Sequence, residues 1–392
     1  ARTAFWAREY KEAATRLRAH LGRHANDHEA WRDLAEAARQ LGDEPAEEAA
    51  LTSYLPLQPA DATGRVRLAG LLESRGRISA AIDHYRVVVD EQPTLALART
   101  LAFLEAREGL GPEAIRHYAL AWELATPKDP ELALALARLH RGAGRADEAL
   151  AWYERSRQLL APDRLRPTSA EAAWAALEAG QASTALAFVE PFARQDTADD
   201  GELLVAARAA GDADASAGAQ YLERLGRRRA LTTDEQRWLA GFYRTAGNAR
   251  AALTLIEALA AQPGGDPGLH EAIGDLRWEL KDFTGAAAAF GVARAAAPSP
   301  RLTLKVARLE AALGHYDRAL QEYDAYLTAS SPEGLRVEIA RTSLGAGDWA
   351  RAERWAREAS GSSERGFAAD MTLAEALHLQ GALRESVEAF DE

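Results

Sequence analysis

The chain has 392 residues, more than one ordinary globular core holds, so either several domains or a repeat architecture is expected. It contains no Cys, which excludes disulfides, Cys-based zinc sites and a thiol nucleophile. A net charge of −12 argues against broad binding to nucleic acid or to an anionic membrane surface, and no apolar run is long enough to span a bilayer as a helix.

In chain order, a partial unit at residues 1–26 leads into a series of helix–turn–helix units. Their inter-helix positions fall at Gly42, Gly76, Gly109, Gly144, Gly180, Gly211, Gly247, Lys281, Gly314, Gly347 and Gly381. The intervals range from 31 to 36 residues. Eight residues before each turn stands an aliphatic residue, as at Leu34, Leu101, Leu136 and Ile339, followed in ten of eleven cases by Ala or Gly. Five residues after the turn Ala or Ser recurs, as at Ala81, Ala149, Ser216 and Ala319, with Glu47 departing. Four residues later a large side chain usually follows, among them Tyr85, Tyr118, Tyr153, Phe290, Tyr323 and Phe390. Apolar positions at i, i+3, i+4 and i+7 predict two helices per unit. The small residues let the helices approach, and the aromatic fills the space beside them. Such a unit cannot bury both of its faces alone, so neighbours must stack.

The pattern is clearest in DPGLHEAIGDLRWELKDFTGAAAAFGVARAAAP (266–298) and resembles the tetratricopeptide repeat across nearly the whole chain. The resemblance implies an all-α, right-handed α-solenoid of about eleven to twelve units. Residues 1–162 read as its N-terminal part and 163–231 as degenerate units, with a bend at 161–172. Residues 232–392 read as the C-terminal part, with the last unit truncated. The cluster QPGGDPG (262–268) reads as a sharp turn. The chain begins at Ala1 with no signal-like segment and reads as a piece of a longer protein. Its exposed apolar ends are expected to fray or self-associate.

No phosphate loop, dinucleotide fingerprint, HExxH or GxSxG motif is present, so the chain is read as non-enzymatic and without cofactor. His24 and His28 have helical spacing but straddle a predicted loop and lack a third ligand. Asp212, Asp214, Ser216 and Glu223 imitate a calcium loop, with Ala217 where glycine is required. These acids are read instead as helix caps, and no metal site is assigned.

The resemblance implies that positions 5, 9 and 12 of each first helix line a concave groove. Arg fills ten of these 33 slots and acids five, so the slots sum to +5 while the rest of the chain sums to −17. The partner-binding residues are therefore expected to be Arg99, Phe103, Arg138, Arg141, Trp174, Arg208, Arg237, Arg244 and Trp278. A solvated charge mosaic is the competing reading. The residues of the family's heat-shock-tail clamp are not supplied by any three consecutive units.

The expected partner is a protein, either an acidic segment or an envelope enzyme, with a polysaccharide contact also weighed and nucleic acid and membrane insertion set aside. Three settings remain open: an interaction scaffold, the periplasmic array of an exopolysaccharide export porin, and the substrate-binding extension of an enzyme. The absence of Cys and the array's length favour the bacterial envelope, with a cytoplasmic adaptor as the alternative.

Overall fold

A computed structural model describes residues 9–211, 213–262, 266, 268–364 and 366–391. Among these residues every regular element is helical, from Tyr10–Leu21 to Leu383–Asp391, with one short 3-10 turn at Pro162–Arg164. The chain forms two compact bodies, residues 1–205 and 206–392, and each is a stack of antiparallel helical hairpins in the manner of an α-solenoid.

Local chemistry sets the helix boundaries. Asp27, Asp61 and Asp129 cap the helices His28–Leu41, Ala62–Ser74 and Pro130–Gly142, each accepting from a backbone N–H of the first turn. Thr232 and Glu235 form a reciprocal capping box at the helix Thr233–Thr245. The predicted turn glycines take the left-handed conformation at nine positions, and Lys281 adopts it at a tenth with φ 65°.

Most of the predicted core positions are buried, Ser216 and Phe390 being exposed. Ala81, Ala114, Ala149, Ala185, Ala252, Ala286, Ala319 and Ala352 are fully buried where the two helices of a hairpin meet. Tyr85, Tyr118, Tyr153, Phe290 and Tyr323 are buried beside them. Gly274 shows why its slot stays small: a Cβ there would lie 2.3 Å from a Phe290 ring carbon. Glu47, the departure from the small-residue slot, is buried and ion-paired to Arg67. At the C-terminal end Leu383, Val387 and Phe390 remain exposed along one helix face.

The turn assigned to Gly211 needs correction. Gly211 closes the helix Asp200–Gly211 in helical conformation, and Ser216 and Gln220 are exposed. The close approach is made instead by Gly218, whose added Cβ would lie 2.8 Å from the Gly211 Cα and 3.0 Å from the Ala207 carbonyl oxygen. Two facing glycines let these helices cross more tightly than alanines would. The slot is then served by buried Tyr221, one residue later than expected. The sharp turn read at 262–268 falls largely on residues 263–265 and 267, which lie outside the described residues. Residues 1–8, most of the expected first helix, also lie outside them.

One buried polar cluster stands out in the N-terminal body. Glu105 and His117 sit 2.6 Å apart (Oε2 to Nδ1) with almost no exposure, and Arg86 donates to the other Glu105 oxygen at 3.0 Å.

Candidate functional site

Arg99 and Phe103 lie four residues apart on the helix Leu95–Arg107, so they share one face. Their neighbours Leu101, Ala102 and Leu104 are fully buried and pin that face outward. Phe103 is 54% exposed, unusual for a ring of its size. It borders a cleft of about 390 Å³ that also holds Arg99, Tyr118, Glu73, Asp129 and Glu131. These three carboxylates already serve others: Glu73 accepts from the Tyr85 hydroxyl, Asp129 caps a helix, and Glu131 pairs with Arg164 at 3.0 Å. Arg99 has no ion pair among the described residues.

Farther along the same body, Arg138 and Arg141 sit beside each other but are engaged. Arg138 grips Glu171 through two parallel bonds, Nε to Oε2 at 2.8 Å and Nη2 to Oε1 at 2.9 Å. Arg141 does the same with Glu178 at 2.8 to 3.1 Å. The Tyr153 hydroxyl donates to Glu171 at 3.2 Å, completing a Tyr–Glu–Arg group across three successive helices. The C-terminal body repeats it with Tyr323, Glu338 and Arg308. Trp174 is half-buried on the helix that carries Glu171.

In the C-terminal body Arg244 bonds Glu279 and Arg237 bonds Asp266, while the Arg208 guanidinium lies 5.5 Å from the Trp238 ring centre. Trp278 is half-buried with its ring edge-on to Phe283. It lines a second cleft, of about 350 Å³, with Arg244, Asp275, Glu279, Phe290, Lys305 and Arg308. Lys305 there is spent on Asp275, 2.7 Å from each carboxylate oxygen.

The arginine stripe is therefore largely neutralised, which corrects the expectation of a cationic groove. Its acids come from first-helix positions next to the counted slots, such as Glu171 and Glu338 at position 6 and Glu178 and Glu279 at position 13. Each meets an arginine of the preceding repeat, 30 to 37 residues earlier. That spacing is the readable signal, and it is easily overlooked because a whole repeat separates in sequence what stacking brings together in space.

These pairs fix the expected pH dependence. The Arg138 hydrogen bond holds the Glu171 carboxyl below the usual carboxylate range against the opposing effect of burial, and Arg39 and Arg229 do the same for Glu36 and Glu235. Because these groups are more acidic folded than unfolded, their contribution is complete above the ordinary carboxylate range. It is lost as pH falls through their folded values. Tyr85, Tyr153 and Tyr243 are pushed up to about 12, chiefly by burial. Their contribution is complete below the ordinary phenol value of about 10 and is lost as pH rises through the raised one. Thermal melts across pH should thus show a plateau bounded by these two limbs. A midpoint that keeps rising as the pH is lowered through the carboxylate range would contradict it.

His24 stacks near His20, at 4.6 Å between ring centres, and His20 contacts Asp27 at 2.9 Å. Asp214 caps its helix through the Ser216 and Ala217 N–H groups, and Glu223 accepts from the Tyr243 hydroxyl; Asp212 lies outside the described residues. Among the described residues no group of three or more acidic or His side chains is placed to hold a metal ion. No described helix is long and apolar enough to cross a membrane.

A family model for the tetratricopeptide repeat matches residues 1–62 and 271–334, which supports the tetratricopeptide repeat superfamily. No curated protein matches the chain. Among solved structures, Naa15/Naa10 bound to HypK-THB is 14% identical over 99% of this chain and 66% of that one, with a TM-score of 0.48. The present chain thus spans just under two thirds of its length. The APC/C hetero-tetramer Cut9-Hcn1 is 14% identical over 96% of this chain and 95% of that one, with a TM-score of 0.38. A MamA structure is 21% identical over 45% of this chain and 94% of that one, with a TM-score of 0.37.

Proposed function

We propose that this chain is a non-catalytic tetratricopeptide repeat scaffold that holds a protein partner on its first-helix surface, with Arg99 and Phe103 as the anchor. The observation that carries this reading is an exposed aromatic beside an arginine that no carboxylate occupies among the described residues. Aromatic residues, phenylalanine among them, and arginine are enriched at protein–protein interfaces. Arg99 suits a partner carboxylate, and the ring suits an apolar or aromatic side chain next to it.

The test is quantitative capture from the native organism with wild type, Phe103→Ala, Arg99→Glu and Arg138→Glu. Phe103→Ala and Arg99→Glu should each lower recovery of the same partner, by about 2 kcal/mol or roughly thirtyfold in affinity for a true hot spot. Arg138→Glu, already committed to Glu171 and half exposed, should cost less than about 1 kcal/mol. Equal recovery with all four proteins would sink the proposal.

The setting we propose is a bacterial cell-envelope machine for polysaccharide export or assembly, with the chain in the periplasm. What supports it is the absence of Cys and the length of the array. Fractionation of the tagged protein in its native host decides between this and a cytoplasmic adaptor.

A further inference from the structure

A different surface carries another cleft. Between the second helices Glu44–Tyr54 and Ile78–Glu91 of successive repeats lies a cleft of about 540 Å³, backed by the first helix Ala62–Ser74. Leu55, Leu68 and Leu72 form its buried apolar floor, and the exposed rings of Pro56 and Pro59 stand at its edge.

Its charges do not balance. Glu48 is shared by two guanidiniums, Arg75 at 2.6 Å and Arg77. Arg65 donates to the Pro59 carbonyl at 2.7 Å and has no carboxylate partner among the described residues. His84 also lines the cleft, without a hydrogen-bond partner among the described residues. Its imidazole is held below the ordinary value by burial and by the nearby Arg65 charge, against the pull of Asp83. In a chain of net charge −12 this is a local excess of positive charge over an apolar floor.

We propose that this cleft binds an acidic-apolar peptide segment. A single Asp or Glu carboxylate sits between Arg65 and His84, and the adjacent apolar side chain packs against Leu55, Leu68 and the Pro56 ring. One guanidinium without a carboxylate partner matches a monoanion, since a planar carboxylate takes two parallel N–H bonds from arginine and the imidazole beside it can donate a further one. The apolar floor gives such a peptide something that a free anion lacks. The lining residues include no exposed Phe, Tyr or Trp ring on which a sugar or a nucleobase would stack. The occupant differs in place from the first-helix partner, so the scaffold would hold two chains at once.

The experiment is a titration of the full chain, followed by the His84 imidazole signals in NMR and assigned by their loss in His84→Asn. The probes are the acetylated amide peptide Asp-Leu-Glu-Leu, its neutral analogue Asn-Leu-Gln-Leu, and inorganic phosphate. The acidic peptide should shift the His84 signals saturably and raise its apparent pKa, because an anion beside the ring favours the imidazolium. The neutral peptide and phosphate should bind at least tenfold more weakly. Arg65→Ser should abolish the response while its circular dichroism and melting stay those of wild type, and Phe103→Ala should leave it intact. Should Arg65→Ser fail to fold, Arg65→Lys serves, with an expected loss of at least fivefold. No saturable shift at millimolar peptide, equal binding of the neutral analogue, or phosphate binding as well as the peptide would each overturn the proposal.

Discussion

Tyr323→Ala should cost about 3–5 kcal/mol, the range for emptying a large aromatic from a packed core. Tyr323 is fully buried against Ala307, Leu335, Ile339 and Trp355, and its hydroxyl donates to Glu338, which also holds Arg308. Alanine removes the ring that joins two repeats and takes one of the donors from Glu338. Tyr323→Phe keeps the ring and should cost about 1 kcal/mol, the usual net value of one hydrogen bond. Phe390→Ala, in the same slot of the last repeat but 53% exposed, should stay within about 0.5 kcal/mol. Stacked repeats feel a loss mainly through their neighbours, so hydrogen exchange should accelerate first between residues 300 and 345. Equal melting of Tyr323→Ala and Phe390→Ala would refute the argument.

Glu105→Ala should destabilise the N-terminal body by about 3 kcal/mol, toward the low end for breaking a buried ion pair because Arg86 is partly exposed. Glu105 is fully buried and accepts from Arg86 while contacting His117, itself 2% exposed. Without the carboxylate His117 loses its partner in a place water does not reach, while the partly exposed Arg86 keeps only Asp83, at 3.7 Å. Glu105→Gln preserves shape and one acceptor oxygen and should lose noticeably less. Urea unfolding of the two variants tests this, and identical midpoints for Glu105→Ala and wild type would show that the cluster contributes nothing.

The hairpin plan was legible because its causes are local. A left-handed residue at ten of the eleven predicted turns, a small residue five positions later and, in about half of the units, an aromatic four beyond that set the hairpin geometry through backbone sterics and side-chain volume. The same reading failed at Gly211 because glycine has two uses: there it admits a close helix crossing with Gly218, and only the packed structure distinguishes that from a turn. Arg99, Phe103 and Arg138 all occupied predicted surface slots, yet the sequence could not separate the free arginine from the engaged one. That distinction depends on whether an acid some 33 residues away arrives within hydrogen-bonding distance, as Glu171 does for Arg138. Nor did any motif announce the cleft at Arg65 and His84, which exists only because consecutive repeats stack with a gap between their second helices. Thus the sequence alone determined where most of the hairpins bend and most of the side chains they bury, since those follow from short-range sterics and hydrophobic periodicity. The tertiary structure decided which surface charges remain available, because Coulombic pairing and cleft formation depend on distances that stacking, not chain order, establishes.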